Sequence, residues 1–233
     1  MCTSRIGRTL AAVTVRLPLF PLGTVLFPGV PLPLHIFEER YRRLVRELMD
    51  LPAEQSRQFG VVAIREGREV GADGVRALYP VGCTAELRQV EQYDDGRYDI
   101  MTVGSTRFTV QELDASAEYL QGDVELLAER PGTPGQLTSV VSGLFAQYLA
   151  LLGNARRMPI DPPDLPDDAL LLSYLVAATV LLDIADKQRL LEAPDAAARL
   201  RGEAELLHRE LRMLRLLSAV PSPETLRTPL SLN

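Results

Sequence analysis

Lysine is the side chain on which phosphate binding and serine-lysine peptidase chemistry both turn, and this 233-residue chain has one, Lys187. A P-loop needs a glycine-rich turn whose amides cradle the phosphates, closed by a lysine that reaches the terminal ones. Lys187 sits in Asp183-Ile184-Ala185-Asp186-Lys187 with no glycine near it, so a P-loop ATPase is excluded. A serine-lysine dyad would have to use the same residue. Its continuation, Gln188-Arg189-Leu190-Leu191-Glu192, reads as a charged helix terminus and not as the surroundings of an activated base.

The remaining candidates are as sparse. His35 and His208 are the only histidines, the first at the mouth of an amphipathic helix and the second on the polar side of the last helix. No third partner completes a Ser/His/Asp or Cys/His set around either, so each reads as a structural or solvated histidine. Cys83 lies in an alternating strand pattern and reads as a small buried hydrophobe in place of a reactive thiol. Cys2 is the only other cysteine, too few for a disulfide framework or a zinc site, which fits a reducing cytoplasm. Asp161, Asp164, Asp167 and Asp168 alternate with Pro162, Pro163 and Pro166 but lack the ordering of a calcium loop. They read as a stiff linker whose last aspartates cap the next helix. Gly67, Gly71 and Gly74 read as turn glycines. The expectation is no catalytic residue, no metal and no cofactor, and a chain that is not an enzyme.

Composition agrees. At 46% hydrophobic and 24% charged residues the chain is globular, and its net charge of -6 disfavours nucleic acid as a partner. The longest apolar run, Ala169 to Leu182, is about 14 residues, short of the roughly 20 that span a bilayer, so no membrane partner is expected. Arg16 and Pro18 interrupt the apolar N-terminal run, which reads as a loose tail over residues 1–13 and not as a signal peptide.

The elements that must carry any site fall into two blocks. Residues 14–130 are short β-type runs with one helix inserted, and residues 131–220 are helical. The change comes at Arg130-Pro131-Gly132-Thr133-Pro134-Gly135, which suits no regular element. Residues 221–233 read as a second loose tail. In the first block Val61 to Ile64 is a strand, and Val81, Cys83, Ala85 and Leu87 alternate as in a half-buried one. Asp95-Gly96 signals a hairpin that pairs Glu86 to Gln92 with Arg97 to Val103. Further strands are expected over Arg107 to Leu113, after Gly104-Ser105, and Asp123 to Leu127. Many short strands at close spacing imply a small barrel or sandwich. The inserted helix spans Ile36 to Met49, with Phe37, Tyr41, Leu44, Val45 and Leu48 on its buried face.

In the second block, Leu137 to Leu152 forms a helix that Gly153-Asn154 stops. Leu170 to Ile184 forms a helix apolar on nearly every side, and Asp195 to Ser218 a long final one. The fold class is α+β.

What stands out is the opening Leu17-Pro18-Leu19-Phe20-Pro21-Leu22-Gly23-Thr24-Val25-Leu26-Phe27-Pro28-Gly29-Val30-Pro31-Leu32-Pro33-Leu34. Its five prolines rule out a helix and confine strands to edges or short pieces. Most of these side chains are core. An exposed subset, Phe27, Pro28 and Val30, would form a protein-binding patch.

That opening, continued by His35-Ile36-Phe37-Glu38-Glu39-Arg40-Tyr41-Arg42-Arg43-Leu44, resembles the start of the Lon protease N-terminal, or substrate-binding, domain family. Phe59-Gly60-Val61-Val62, Tyr79-Pro80-Val81-Gly82-Cys83-Thr84-Ala85, Gly104-Ser105-Thr106-Arg107-Phe108 and Lys187 to Glu192 look like further family landmarks in order, so the resemblance covers residues 15 to 217. It implies a PUA-like β-barrel followed by a helical bundle, in a stand-alone member without the ATPase and peptidase domains. It also implies a non-catalytic module that binds unfolded or tagged protein segments, capturing apolar stretches or serving as an adaptor for a separate protease. RNA binding through the PUA-like barrel and regulatory binding of a small ligand stay open as alternatives.

Overall fold

The computed structural model describes residues 14–52, 54–67, 75–156, 160 and 164–219. The two tails, Gly71, Gly74 and Asp161 to Pro163 lie outside these described residues. The chain divides into two compact units, one taking it to Glu129 together with Leu181–Glu192, the other comprising Arg130–Val180 and Ala193 onward.

Seven strands build the first unit: β1 (Thr14–Leu22), β2 (Pro31–Ile36), β3 (Gln58–Gly67), β4 (Val75–Leu78), β5 (Val81–Gln92), β6 (Tyr98–Asp114) and β7 (Gln121–Leu126). Pairing runs β1-β7-β6-β5-β3-β4, β2 adds to β6, and β1 also pairs with β3, so the succession of neighbours returns to its first strand. All pairs are antiparallel except β1 with β3.

The prolines of β1 do not confine it to an edge, because the strand changes partner midway. Thr14 to Pro18 pair with β7 and Leu19 to Leu22 with β3. The Leu19 amide donates to the Leu120 carbonyl, so odd-numbered residues turn their backbone toward β7 and even-numbered ones toward β3. The nitrogens of Pro18 and Pro21 therefore each face the side on which no ladder runs at that position, and no hydrogen bond is lost.

Around the hairpin, Asp95-Gly96 joins β5 to β6 as its residue types require, with Gly96 at φ +81°. β6 does not break at Gly104-Ser105. It continues for 17 residues, because the missing side chain at Gly104 admits other backbone in place of a turn. A Cβ there would lie 2.2 Å from the Phe27 carbonyl oxygen. Gly104 donates to Val30 and accepts from Gly29, which fastens the turn before β2 onto β6.

The inserted helix, α1 (Glu39–Asp50), starts three residues later than its periodicity suggests. Ile36 completes β2 and Phe37 precedes the helix, exposed instead of buried. Tyr41, Leu44, Val45 and Leu48 do form the buried face. They enter a core with Phe20, Phe59, Val61, Cys83, Ala85, Tyr98 and Ile100, where Phe20 and Tyr41 stack at 3.9 Å. Arg42 holds the hairpin to α1, its Nε donating to the Gly96 carbonyl at 2.7 Å.

The second unit holds α2 (Leu137–Arg156), α3 (Ala169–Thr179) and α5 (Ala196–Ala219). Gly153 does not stop α2, which continues to Arg156 with Gly153 buried inside it. Asp168 caps α3 by accepting from the Leu171 amide at 2.9 Å. α3 ends at Thr179, short of Ile184, because Asp183 is a capping residue: its carboxylate accepts from the Asp186 amide and opens α4 (Ile184–Glu192). A division at residue 130 therefore misplaces α4, which belongs with the strands. Gln188 donates to the Val81 carbonyl of β5 at 2.9 Å, and Arg107 of β6 donates to the Leu191 carbonyl at 2.6 Å. Among the described residues one helix, α2, is long and apolar enough to cross a membrane, over Leu137–Asn154. Its Val141, Phe145, Tyr148 and Leu149 are buried.

Arg107 is 2% exposed, and its guanidinium also takes both carboxylate oxygens of Glu129, at 2.8 and 3.3 Å. Arg107→Ala is expected to cost about 3 kcal/mol in chemical denaturation, because it removes the buried charge-assisted bonds to Glu129 and to the Leu191 carbonyl. Arg107→Lys should recover only part of this, lacking the planar fork. Gly96→Ala places a side chain at positive φ and 2.0 Å from the Arg42 guanidinium, so a loss of about 1–2 kcal/mol is expected in the same assay.

Candidate functional site

The antiparallel ladder between β2 and β6 sorts the prolines and leucines of the opening. Because Gly104 donates to Val30, residues 30, 32, 34 and 36 turn their backbone toward β6, and Pro31, Pro33 and His35 turn theirs outward. Among the described residues β2 pairs with β6 alone, so this is a free sheet edge. Two of its three outward positions lack an N–H. The same alternation sends Leu32, Leu34 and Ile36 against the core and Pro31, Pro33 and His35 to the outer face.

β5 continues that face. Its register shift between Leu87 and Gln89 absorbs Arg88, so Glu86, Gln89 and Glu91 stay outward and Leu87 and Val90 stay inward. Two cross-strand rows result, Pro33-Met101-Gln89 and His35-Asp99-Glu91. They line a groove of about 790 Å³ with Leu34, Val90 and Ile100, open to solvent along its length. A smaller recess of about 130 Å³ continues from it past His35 to Phe37 and Tyr41.

One end of the groove is a preorganised polar and aromatic cluster. Asp99 receives His35 Nδ1 on one oxygen and the Tyr93 hydroxyl on the other, both at 2.6 Å. Arg97 Nη1 lies 3.4 Å from His35 Nε2, and the Nε of the same guanidinium donates to Asp95 at 2.7 Å. An arginine only donates, so Nε2 accepts and Nδ1 carries the proton given to Asp99. Both imidazole nitrogens thereby have a partner in the cluster. The hydrogen bond from Tyr93, followed by that from His35, holds the Asp99 carboxyl below its ordinary range, and the same bond raises the Tyr93 hydroxyl. Phe37, 51% exposed, lies 6.2 Å from the His35 ring.

The patch expected from the opening is not formed as expected. Phe27 is 1% exposed, its turn held against Gly104, and it is core. Pro28 and Val30 are half-buried, and Val30 packs on the core under β2. Cys83 is fully buried and its thiol is pushed up to about 12 by that burial. Lys187 is half-buried, with its ammonium lowered by desolvation, and His208 is exposed. No group of three or more metal-ligating side chains occurs among the described residues. The residues that sequence reasoning missed are Phe37, Glu91, Tyr93, Arg97, Asp99 and Met101. Alternation about the Asp95-Gly96 hairpin could have placed Glu91, Asp99 and Met101 on one face, but the pairing that brings Pro33 and His35 beside them joins distant segments without a local signal.

The family model described as the ATP-dependent protease La (LON) substrate-binding domain matches residues 16–209. Lon protease 2 of Herpetosiphon aurantiacus is 30% identical over 210 residues, covering 88% of this chain and 25% of the relative. Lon protease of Anaeromyxobacter dehalogenans is also 30% identical, over 219 residues, covering 88% and 24%. The chain thus spans about a quarter of the length of the curated relatives it matches. Among solved structures, a Lon N-terminal domain protein from Xanthomonas campestris superposes with TM-score 0.57 at 25% identity, covering 89% of this chain and 99% of that one. The N-terminal domain of Lon protease from the Mycobacterium avium complex gives the same TM-score at 18% identity, covering 85% and 98%, a likeness of fold.

Tyr93→Phe should raise the Asp99 pKa toward the ordinary carboxylate value, read by NMR titration. Because the folded-state pKa is depressed, the contribution of this cluster to stability is present above the ordinary Asp value and is lost as pH falls through the folded one. An unchanged Asp99 titration would show that the Tyr93 hydrogen bond is absent in solution.

Proposed function

The chain belongs to the Lon substrate-binding domain family, and from that premise we propose that it is a non-catalytic module that binds extended, apolar segments of unfolded or tagged proteins on the outer face of β2, β6 and β5. The observation that carries this reading is the match over residues 16–209 to a family defined as the substrate-binding domain of the ATP-dependent protease La. Support from the geometry is the open groove, which presents Pro33 and Met101, with the exposed ring of Phe37 lying 6.2 Å from the His35 ring at its end. An extended segment fits such a trough better than a small ligand, which needs enclosure. The closed succession of pairings is read as a PUA-like barrel, and delivery to a separate protease, as an adaptor, is the cellular role proposed. A reducing, cytoplasmic setting fits the buried free thiol of Cys83.

RNA recognition gains no support from α1, the most arginine-rich element. Arg42 and Arg46 pair with Glu39, Arg43 pairs with Glu47, and Arg40 in the first turn pairs with Glu38. No unneutralised basic stripe is left there for phosphates.

Binding of a permanently unfolded, carboxymethylated model protein, measured by fluorescence anisotropy, tests the proposal. The wild-type chain is expected to bind it and to ignore its folded form. Phe37→Asp, at an exposed position where substitution leaves the fold intact, should weaken binding about tenfold. Absence of wild-type binding would overturn the function, and an unaffected Phe37→Asp variant would move the site off this face.

A further inference from the structure

We propose that the groove over β2, β6 and β5 discriminates among apolar segments, preferring those with an arginine or lysine two residues from an apolar side chain, and that Glu91 receives the cation. This rests on the substrate-recognition reading above and names the class of segment selected.

Three observations converge. Both charged side chains that line the groove, Glu91 and Asp99, are acidic. Asp99 has each oxygen already occupied, by His35 and by Tyr93. Glu91 is the lining carboxylate with no hydrogen bond or ion pair among the described residues, and it is exposed. An incoming cation therefore meets one engaged carboxylate, which adds negative field, and one open carboxylate, which is able to close on it. Arg97, the basic group beside His35, is neutralised by Asp95 at 2.7 Å and turned onto His35, so it does not occupy Glu91.

Register then fixes the spacing. The row Pro33-Met101-Gln89 and the row His35-Asp99-Glu91 are two residues apart on each strand, about 7 Å along the strands. The first row offers a proline ring and a thioether to an apolar side chain, and the second ends on Glu91. A segment lying extended along the groove repeats its side chains on one face with the same period. An apolar residue over Met101 thus brings the residue two positions away over the acidic row. Recognition proceeds through side chains, because the β2 edge lacks amides at Pro31 and Pro33 and cannot accept a full added strand.

The test uses the whole chain and two labelled unstructured peptides identical except at one position, Leu-Ser-Arg in one and Leu-Ser-Glu in the other. Anisotropy titrations at about 0.05 M salt should show the arginine peptide binding about three- to fivefold tighter, the range of an exposed ion pair, and the gap should shrink at about 0.5 M. Glu91→Gln should abolish the preference and Glu91→Arg should reverse it, with thermal unfolding confirming that both variants are folded. Equal binding of the two peptides, or a preference unchanged in Glu91→Arg, overturns the inference while leaving substrate recognition standing, since both peptides still bind. Failure of both peptides to bind a chain that does bind unfolded protein also overturns it, placing the site elsewhere. Failure to bind unfolded protein at all removes the reading on which the inference depends.

Discussion

A buried guanidinium organises the first unit. Arg107 sits in the middle of β6, and its fork reaches Glu129, where the chain leaves the strands, and the Leu191 carbonyl, where the chain has returned as α4. A charge withdrawn from water is tolerable only where every donor is matched, and these partners come from segments far apart in sequence. The constraint runs both ways. Arg107 requires α4 to be present, and α4 requires a donor for its last-turn carbonyl, one of the groups a helix end leaves unsatisfied. Gln188, bonded to the β5 backbone, fixes the same helix at a second point. Leu181–Glu192 thereby becomes part of the strand unit although helical chain precedes and follows it.

β6 carries this constraint to the groove. Over its first half it pairs with β2 and β5, and over its second with β5 and β7, so any displacement of Arg107 is transmitted along one unbroken strand. The shifts in the β5–β6 ladder preserve sidedness. The one between Cys83 and Ala85 sets two residues of β6, Ser105 and Thr106, opposite Thr84 alone, whose Oγ1 accepts from the Thr106 amide. The one at Arg88 keeps Gln89 and Glu91 outward. A strand twelve residues long would otherwise exchange its faces at an extra residue. The outer face is in this sense a consequence of how the inner one is packed.

Local signals in the sequence made part of this legible. The α1 stripe, the Asp95-Gly96 hairpin and the capping aspartate before α3 depend on neighbours within a few residues, and the structure has them near where those residues indicate. Signals were misread where a residue type has two uses. Gly104 resembles a turn glycine but serves close backbone approach, and Pro18 and Pro21 resemble strand breakers but sit where β1 exchanges ladders. Phe27 resembles a patch residue and is core, whereas Phe37 resembles a helix-face residue and is exposed. Arg199 and Glu203 carry no apolar signal, yet both are buried in α5, Arg199 lying 4.0 Å over the Tyr174 ring and bonded to Ser173. The carboxyl of Glu203 is raised well above its ordinary range by burial, with Arg199 opposing. The family resemblance supplied what periodicity could not, the order of landmarks over nearly the whole chain, but it named no site residue.

The same prolines that obscure the opening decide how the outer face is able to bind. A free edge beside an apolar groove invites pairing with any extended chain, including another copy of the protein, and the usual remedies are charge, shortness and proline. β2 is six residues long and carries proline at two of three outward positions, which closes its backbone to uncontrolled addition. The proposed binding of unfolded chains would need that protection, because backbone pairing is indifferent to sequence. With the edge closed, selectivity passes to the side chains on the face: Met101 and Phe37 for area, the occupied Asp99 and the open Glu91 for sign. Binding of that kind is shallow and reversible, which suits the segment-sampling role proposed for this face.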